Sequence, residues 1–554
     1  MLQMKLISSL EKIFADEPLR AQEKTTFSGF ENECISFQVA VCGDQSTHTL
    51  SASLKAESPL DSCLRIRTVR CVPVRLSTLP GADDYYLRKA PGLYPDLLRD
   101  VCKHDPAGDM YLYDGQWQCF WIDVEPAGRV SPGVYPITLT LYNKLTNEAL
   151  CSLSAQVTIL PGCLPEQTLK RTSWFHSDCL AQYYRVPVFS EDYWRIVENF
   201  VALAVKRGYN MLLTPLFTPP LDTQIGGERL TVQLIDVTVT NGQYTFSFEK
   251  LRRWVDMAQR CGMKYFEMSH LFTQWGAKHA PKIMATVDGA YQRIFGWETP
   301  ATGAEYARFL RYFLPQLMTE IKRLGIKEQT HFHISDEPNL DMMEDYKAAR
   351  ALVAPYVEDC IIMDALSNYE FYSSGAVTCP IPSLNHLEPF FENNVPHLWT
   401  YYCVGQYKDV TNLFIAMPSA RTRMLGVQLY RYNLAGFLQW GYNFYNSCWS
   451  THPVDPYFTT DADGRFPAGD PFHVYPGANG QPEDSLRLMV LQQAMQDLRA
   501  LRWLESLIGR EKTLELLLDC AEGPLTLTEY PHENAFFERL RERVNVAILA
   551  QTRR

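Results

Sequence analysis

The segment THFHISDEP (330–338) carries two histidines and two adjacent carboxylates in one short run. Side chains alternate between faces along a strand, so Phe332 and Ile334 turn one way, toward covering helices. His331, His333, Ser335 and Glu337 then share the opposite, inward side. Pro338 stops the strand and forces a turn, which lets Asp336 reach the same end. A carboxylate at the C-terminal end of a barrel strand stands where the active sites of that fold occur. The structural alternative is that Asp336 or Glu337 caps a helix beginning near Leu340, although Asn339 or Asp341 can do that job.

Adjacent carboxyls imply a particular chemistry. Ordinary glycosidases hold two carboxyls ~5–9.5 Å apart across the sugar, and sequence neighbours are poorly placed to span a ring in that way. They suit substrate-assisted catalysis, in which the sugar's own 2-acetamido oxygen attacks the anomeric carbon. Glu337 would protonate the leaving oxygen and later activate water. Asp336 would hold the acetamido N–H and stabilise the positive intermediate. These roles require Glu337 to be the more basic of the two and Asp336 to be ionised.

A metal reading competes. His331 and His333 form an HxH pair that Asp336 or Glu337 could join, but HxH alone is a weak signal and the helical HExxH pattern is missing. No metal and no cofactor is therefore expected. A nucleophile elbow is also absent, because the sequence contains no GxSxG.

The elements that must position these residues follow from periodicity. Residues 1–165 read as short strands separated by Gly, Pro, Asn and Asp turns, the pattern of a β-sandwich. LPGCLPEQ (160–167) marks the boundary. Residues 166–480 alternate strands with helices. The strand-like segments begin with RTSWFHS (171–177), NMLLTP (210–215), KYFEMSHL (264–271) and THFHISDEP. CIIMDAL (360–366), PIPSLN (380–385), HLWTYYC (397–403) and GFLQWGYN (436–443) complete the set. Eight strands are what a (β/α)8 TIM-type barrel requires. A doubly wound sheet is the alternative, without its usual Gly-rich phosphate loop. Asn241-Gly242 predicts a hairpin turn. Residues 481–554 form a helical segment expected to pack on the barrel.

Candidate contacts cluster at predicted strand ends. Trp174, His176 and Asp178 end the first strand, and Glu267 and His270 the third. Trp399, Tyr401 and Tyr402 end the seventh. Trp440, Tyr442 and Asn443 end the eighth, with Trp449 beyond. Aromatic faces cover the apolar faces of a sugar, while His, Asp or Asn fix its hydroxyls. Taken singly, each aromatic reads more readily as core than as a ligand contact, and it is their clustering at strand ends that favours the group.

Composition narrows the partners. A net charge of −11 argues against nucleic acid or an anionic membrane, both of which need a basic patch. The 15 cysteines include no CxxC pair and read as free thiols of a reducing compartment. The N-terminus meets acid and base before any apolar run of signal-peptide length, and no stretch approaches the ~20 apolar residues of a membrane span. A cytoplasmic enzyme with a glycan or glycoside substrate is the expectation.

The order of these features resembles glycoside hydrolase family 123. The likeness rests on FENECISFQVAV (30–41), WFHSDCLAQYY (174–184), the strand ending in SDEP, GFLQWGYNFY (436–445) and GDPFHVYPG (469–477). The resemblance implies an exo-acting, retaining β-N-acetylgalactosaminidase with its Asp-Glu pair at Asp336 and Glu337. It implies barrel-mouth aromatics at Trp399, Trp440 and Tyr442, with Asp470 and Tyr475 in a late loop that closes over the site. A β-glycosidase of other specificity, such as a β-N-acetylglucosaminidase, remains an alternative. So do a metal-dependent hydrolase and a non-catalytic carbohydrate-binding protein.

Overall fold

A computed structural model describes residues 2–101, 110–357 and 359–552. The chain divides into two units, and the division is not sequential. One comprises 1–167, 411–432 and 483–554; the other comprises 168–410 and 433–482.

The first unit is built on two five-stranded sheets. One runs Gln3–Ser8, Ile35–Cys42, Trp117–Val124, Leu64–Val74, Gly92–Asp100, all antiparallel. The other runs Thr26–Phe30, Ala149–Leu160, Gly133–Asn143, Ser51–Glu57, Met110–Tyr111. Alternation explains the packing: Phe37, Val39, Phe120 and Ile122 of the first sheet meet Leu139, Leu141 and Val157 of the second in one buried cluster. The expected sandwich is present.

The helices after residue 481 group with this sandwich unit. The reason lies on the outer face of the first sheet, which is apolar and charged where a free sheet would be merely polar. Leu98 and Trp121 pack on Leu486 and Met489 of helix Leu486–Ile508. Buried Arg487 pairs with Asp96 at 2.8 Å, and Arg541 of helix Asn534–Thr552 pairs with Glu33 at 2.8 Å. Helix Ser419–Arg431 joins them by a close approach at Gly426, where a Cβ would lie 2.0 Å from the Ala494 carbonyl oxygen. Gly426→Ala is therefore expected to destabilise this unit by about 1–3 kcal/mol, the usual cost of overpacking. Urea unfolding of the two proteins measures it.

The second unit contains eight parallel strands: β1 (Lys170–Ser173), β2 (Met211–Thr214), β3 (Tyr265–Met268), β4 (Thr330–Phe332), β5 (Ile361–Ala365), β6 (Cys379–Ile381), β7 (Trp399–Tyr402) and β8 (Gly436–Gln439). Six lie within the segments expected from the sequence, and β1 and β6 each begin one residue earlier, at Lys170 and Cys379. They form two hydrogen-bonded sheets, β2-β3-β4-β5-β6 and β1-β8-β7, so the ladder is not one continuous ring. This corrects the expectation of a fully closed (β/α)8 barrel. The strands are short, and the helices after β5 and β6 shrink to Glu370–Ser373 and Glu388–Glu392, too short to cover a regular barrel wall.

Helix Glu191–Lys206 starts as its sequence predicts, with the Ser190 side chain accepting from the Tyr193 N–H and Glu191 and Asp192 in the first turn. Asp236–Thr240 and Gln243–Ser247 form the predicted hairpin, and both Asn241 and Gly242 have positive φ, as a tight hairpin turn requires. A second hairpin, Ile283–Val287 with Ala290–Phe295, extends it into a four-stranded sheet. Its Asp288-Gly289 turn carried the same signal. Among the described residues, no helix is long and apolar enough to cross a membrane.

Candidate active site

Asp336 and Glu337 lie just beyond the end of β4 and line a cavity of about 190 Å³. The Glu337 backbone is left-handed, φ 44°, a conformation that costs a glutamate of order 1 kcal/mol and tends to persist at functional sites. Two backbone bonds hold it there. The Glu337 N–H donates to the Ala365 carbonyl at 3.0 Å, and the Asp336 carbonyl accepts from the Trp275 N–H at 2.8 Å. The Tyr401 hydroxyl donates to Glu337 Oε1 at 2.5 Å. Trp174, Trp275, Trp440, Trp449 and Phe466 supply aromatic walls.

Strand alternation places most of the β4 segment as expected. Phe332 and Ile334 are fully buried on one side. His331 and His333 point the other way, His331 within 2.9 Å of Lys170 Nζ. Ser335 departs from the pattern. Regular strand ends at Phe332, and the Ser335 hydroxyl instead donates to the Thr273 carbonyl in the loop after β3.

Beneath the acid pair lies a buried charge network. His333 Nε2 bonds Glu267 at 2.6 Å, and His333 Nδ1 bonds Asp364 at 3.0 Å. Glu267 also accepts from Thr172 Oγ1 at 2.6 Å and from Trp174 Nε1 at 2.7 Å. Asp364 accepts from the Tyr346 hydroxyl at 2.5 Å. Burial alone would depress the His333 pKa, but its bonds to the two carboxylates overcome this and push it up to about 10. His333 is thus an imidazolium at neutral pH. His270 stacks on it at 4.3 Å with neither ring nitrogen bonded, and burial beside that cation keeps His270 neutral.

His270, His333 and Asp364 are close enough to share a metal ion, with ligand atoms within 4.8 Å of one another. Yet both His333 nitrogens are already committed to carboxylates, so a metal would have to displace a proton and break an ion pair. The donor set fits a charge relay better than a metal centre.

Burial pushes the pKa of both Asp336 and Glu337 above the ordinary carboxyl range. For Asp336 the neighbouring Glu337 charge adds to this, and the His333 cation opposes it; for Glu337 the Tyr401 hydrogen bond opposes it. The Tyr401 bond favours the ionised form of Glu337, while burial and the Glu337 charge favour the protonated form of Asp336. This is the reverse of the order expected from the sequence, in which Glu337 is the more basic of the two.

The remaining sequence candidates divide three ways. Tyr401 and Trp440 line the cavity with the acid pair. His176, Asp178 and Asn443 stand behind it: Arg229 grips Asp178 through two 2.8 Å bonds, His176 bonds the Trp440 carbonyl at 2.9 Å, and Asn443 clasps the His176 backbone. Asp470 accepts from Trp440 Nε1 at 3.1 Å and so fixes that ring. Trp399, Tyr442 and Tyr475 are core. Trp399 is two residues, or roughly 7 Å, deeper in the strand array than Tyr401, against the bare backbone of Gly436. Tyr442 turns out to bond the Phe200 carbonyl, because Gly441 packs on Pro471 and breaks the alternation after β8. Tyr475 packs on Phe472 and Tyr457.

Asp364, Asp222, Trp275 and the cavity-wall Phe466 are not among the sequence candidates. Asp364 was legible as a lone charge in the apolar strand IIMDA. Asp222 and Trp275 sit in loops after β2 and β3, where no period points to them.

Two carboxyls at the C-terminal end of a parallel strand, in an aromatic-walled cavity, define a glycoside hydrolase type of site. Residues 174–504 match the family model described as "Glycoside hydrolase 123, catalytic domain", and the chain belongs to glycoside hydrolase family 123. Among solved structures, the chain is similar to a family 123 glycoside hydrolase from Clostridium perfringens, described in terms of glycolipid glycan hydrolysis. Identity is 13%, the TM-score 0.73, and the match covers 100% of this chain and 98% of that one. A Bacteroides uniformis β-glucuronidase also matches, at 12% identity and TM-score 0.29, over 81% of this chain and 46% of that one. A search of curated proteins found no match.

Proposed function

We propose that this glycoside hydrolase is an exo-acting, retaining β-N-acetylgalactosaminidase that uses the substrate's 2-acetamido group as nucleophile. The observation that carries the reading is the adjacency of Asp336 and Glu337 at one cavity wall, with Tyr401 bonded to Glu337. An acetamido N–H donated to Asp336 stabilises its ionised form and transfers the pair's shared proton to Glu337. Glu337 then protonates the glycosidic oxygen as the acetamido carbonyl oxygen bonds to the anomeric carbon and the aglycone leaves. Water adds to that carbon from the vacated side, giving its proton to Glu337 and reopening the ring. The eight parallel strands act in this reading as a barrel with two seams. Residue roles and the choice of galacto over gluco configuration rest on family membership and the adjacency of the pair.

Hydrolysis of chromogenic β-N-acetylgalactosaminide, β-N-acetylglucosaminide and β-galactoside tests it. Cleavage confined to the 2-acetamido substrates, fastest for the galacto sugar, is expected. Equal cleavage of the plain galactoside would rule out acetamido participation.

A further inference from the structure

A third carboxyl lines the cavity, on a loop that the acid pair does not share. Asp222 follows β2 and is locked to the loop after β8 by reciprocal bonds. The Trp449 N–H donates to Asp222 Oδ2 at 2.8 Å, the Ser450 hydroxyl to the Asp222 carbonyl at 2.8 Å, and the Gln224 N–H to the Trp449 carbonyl at 3.0 Å. The Asp222 N–H donates to Gln274 Oε1 at 2.7 Å. Asp222, Trp449 and Trp275 all have left-handed backbones, with φ of 39°, 62° and 59°. Trp275 and Trp449 remain 37% and 44% exposed. Strain in non-glycine residues persists when surroundings over-determine it, and burial of these rings is not what it secures. It holds one carboxyl and two indole rings on the cavity wall.

Among the described residues, Oδ2 of Asp222 is the carboxyl oxygen that accepts a hydrogen bond. Oδ1 makes no hydrogen bond among the described residues. The described residues lining the cavity include three carboxyls, Asp222, Asp336 and Glu337, and no Lys, Arg or His. Arg229 acts on Asp222 from behind the wall and Arg465 stands 5.8 Å over the Trp449 ring at its edge, so it is the lining itself, three carboxyls, that accepts hydroxyl hydrogen bonds and disfavours an anion.

We infer that Asp222 is the specificity-determining residue of the cavity: its free oxygen accepts a hydroxyl of the sugar stacked on the mouth tryptophans, and the site thereby selects neutral glycosides and rejects sulfated or uronic ones. The inference rests on the glycosidase reading above and names what that site selects.

Asp222→Asn keeps an oxygen for the Trp449 N–H, so the loop lock survives while the charge is lost. For the chromogenic substrate that the wild type cleaves best, the variant is expected to raise KM about 10- to 100-fold with kcat little changed, the loss of one charge-assisted hydrogen bond. The wild type is expected to discriminate against the 6-sulfated sugar by at least about 100-fold in kcat/KM, and the variant to narrow that gap, since like-charge repulsion would be relieved. Titration of intrinsic tryptophan fluorescence with free N-acetylgalactosamine and its 6-sulfate gives a readout independent of turnover. It keeps the selectivity claim testable even if every chromogenic substrate is refused, an outcome that would sink the hydrolase specificity instead. An unchanged KM and equal binding of neutral and sulfated sugar in both proteins would overturn the inference. Collapse of kcat at constant KM, restored by azide, would overturn it too, by making Asp222 a nucleophile. Asp222→Glu, which retains the charge, should recover part of the affinity if the carboxylate itself is read.

Discussion

Glu337→Gln is expected to lower kcat by about 10²- to 10⁴-fold, the range over which a positioned general acid contributes, with a much smaller change in KM. The amide is nearly isosteric and can still meet the Tyr401 hydroxyl, so the loss reports proton transfer and not collapse of the wall. Leaving-group acidity sharpens the test. A substrate whose aglycone departs without protonation should lose far less activity than a poor leaving group, because only the latter needs the acid. The pH profile supplies the sign. On the proposed mechanism Glu337 acts protonated, so wild-type kcat is expected to fall as pH rises through its raised pKa; Asp336 acts ionised, so kcat is expected to fall again in acid. The variant should lose the alkaline limb and keep the acid one. Retention of wild-type kcat on a poor leaving group would remove Glu337 from the mechanism.

His333→Leu is expected to cost about 3–5 kcal/mol of stability at pH 6, because it leaves Glu267 and Asp364 buried without their shared cation. The pH dependence is distinctive. The His333 pKa is raised in the folded protein from the ordinary ~6.5 to about 10. Its contribution is therefore fully present below about 6.5 and is lost as pH rises toward about 10. Denaturant midpoints of wild type and variant should converge across that interval. A difference independent of pH would mean that the site loses only packing. His333→Gln, which restores two hydrogen-bonding atoms but no charge, should recover part of the loss at neutral pH and little in acid.

Much of this protein was legible in local pattern. The period-2 alternation of THFHISDEP places Phe332 and Ile334 outward and His333 inward because strand geometry leaves no other choice. The eight strand segments, the sandwich and the Asn241-Gly242 turn are similarly local, as is the Ser190 cap. Family membership, too, was carried by short segments read in order.

What local pattern did not determine was partnership. Nothing near Glu267 announces that it bonds His333, or near Asp364 that it holds the other nitrogen, since those contacts join strands 31 and 66 residues apart. Trp399 and Tyr401 have the same parity, and only strand stagger decides that one is core and the other touches Glu337. The C-terminal helices were recognisable as helices, but their partner was set by Arg487, Arg541 and an apolar outer sheet face in a distant part of the chain. Asp222 and Trp449 meet through loops that follow no period. The elements and the acid pair were thus written in the sequence by short-range sterics, while the proton order within the pair, the buried cation below it and the third carboxyl beside it were decided by burial and charge, which only the assembled tertiary structure supplies.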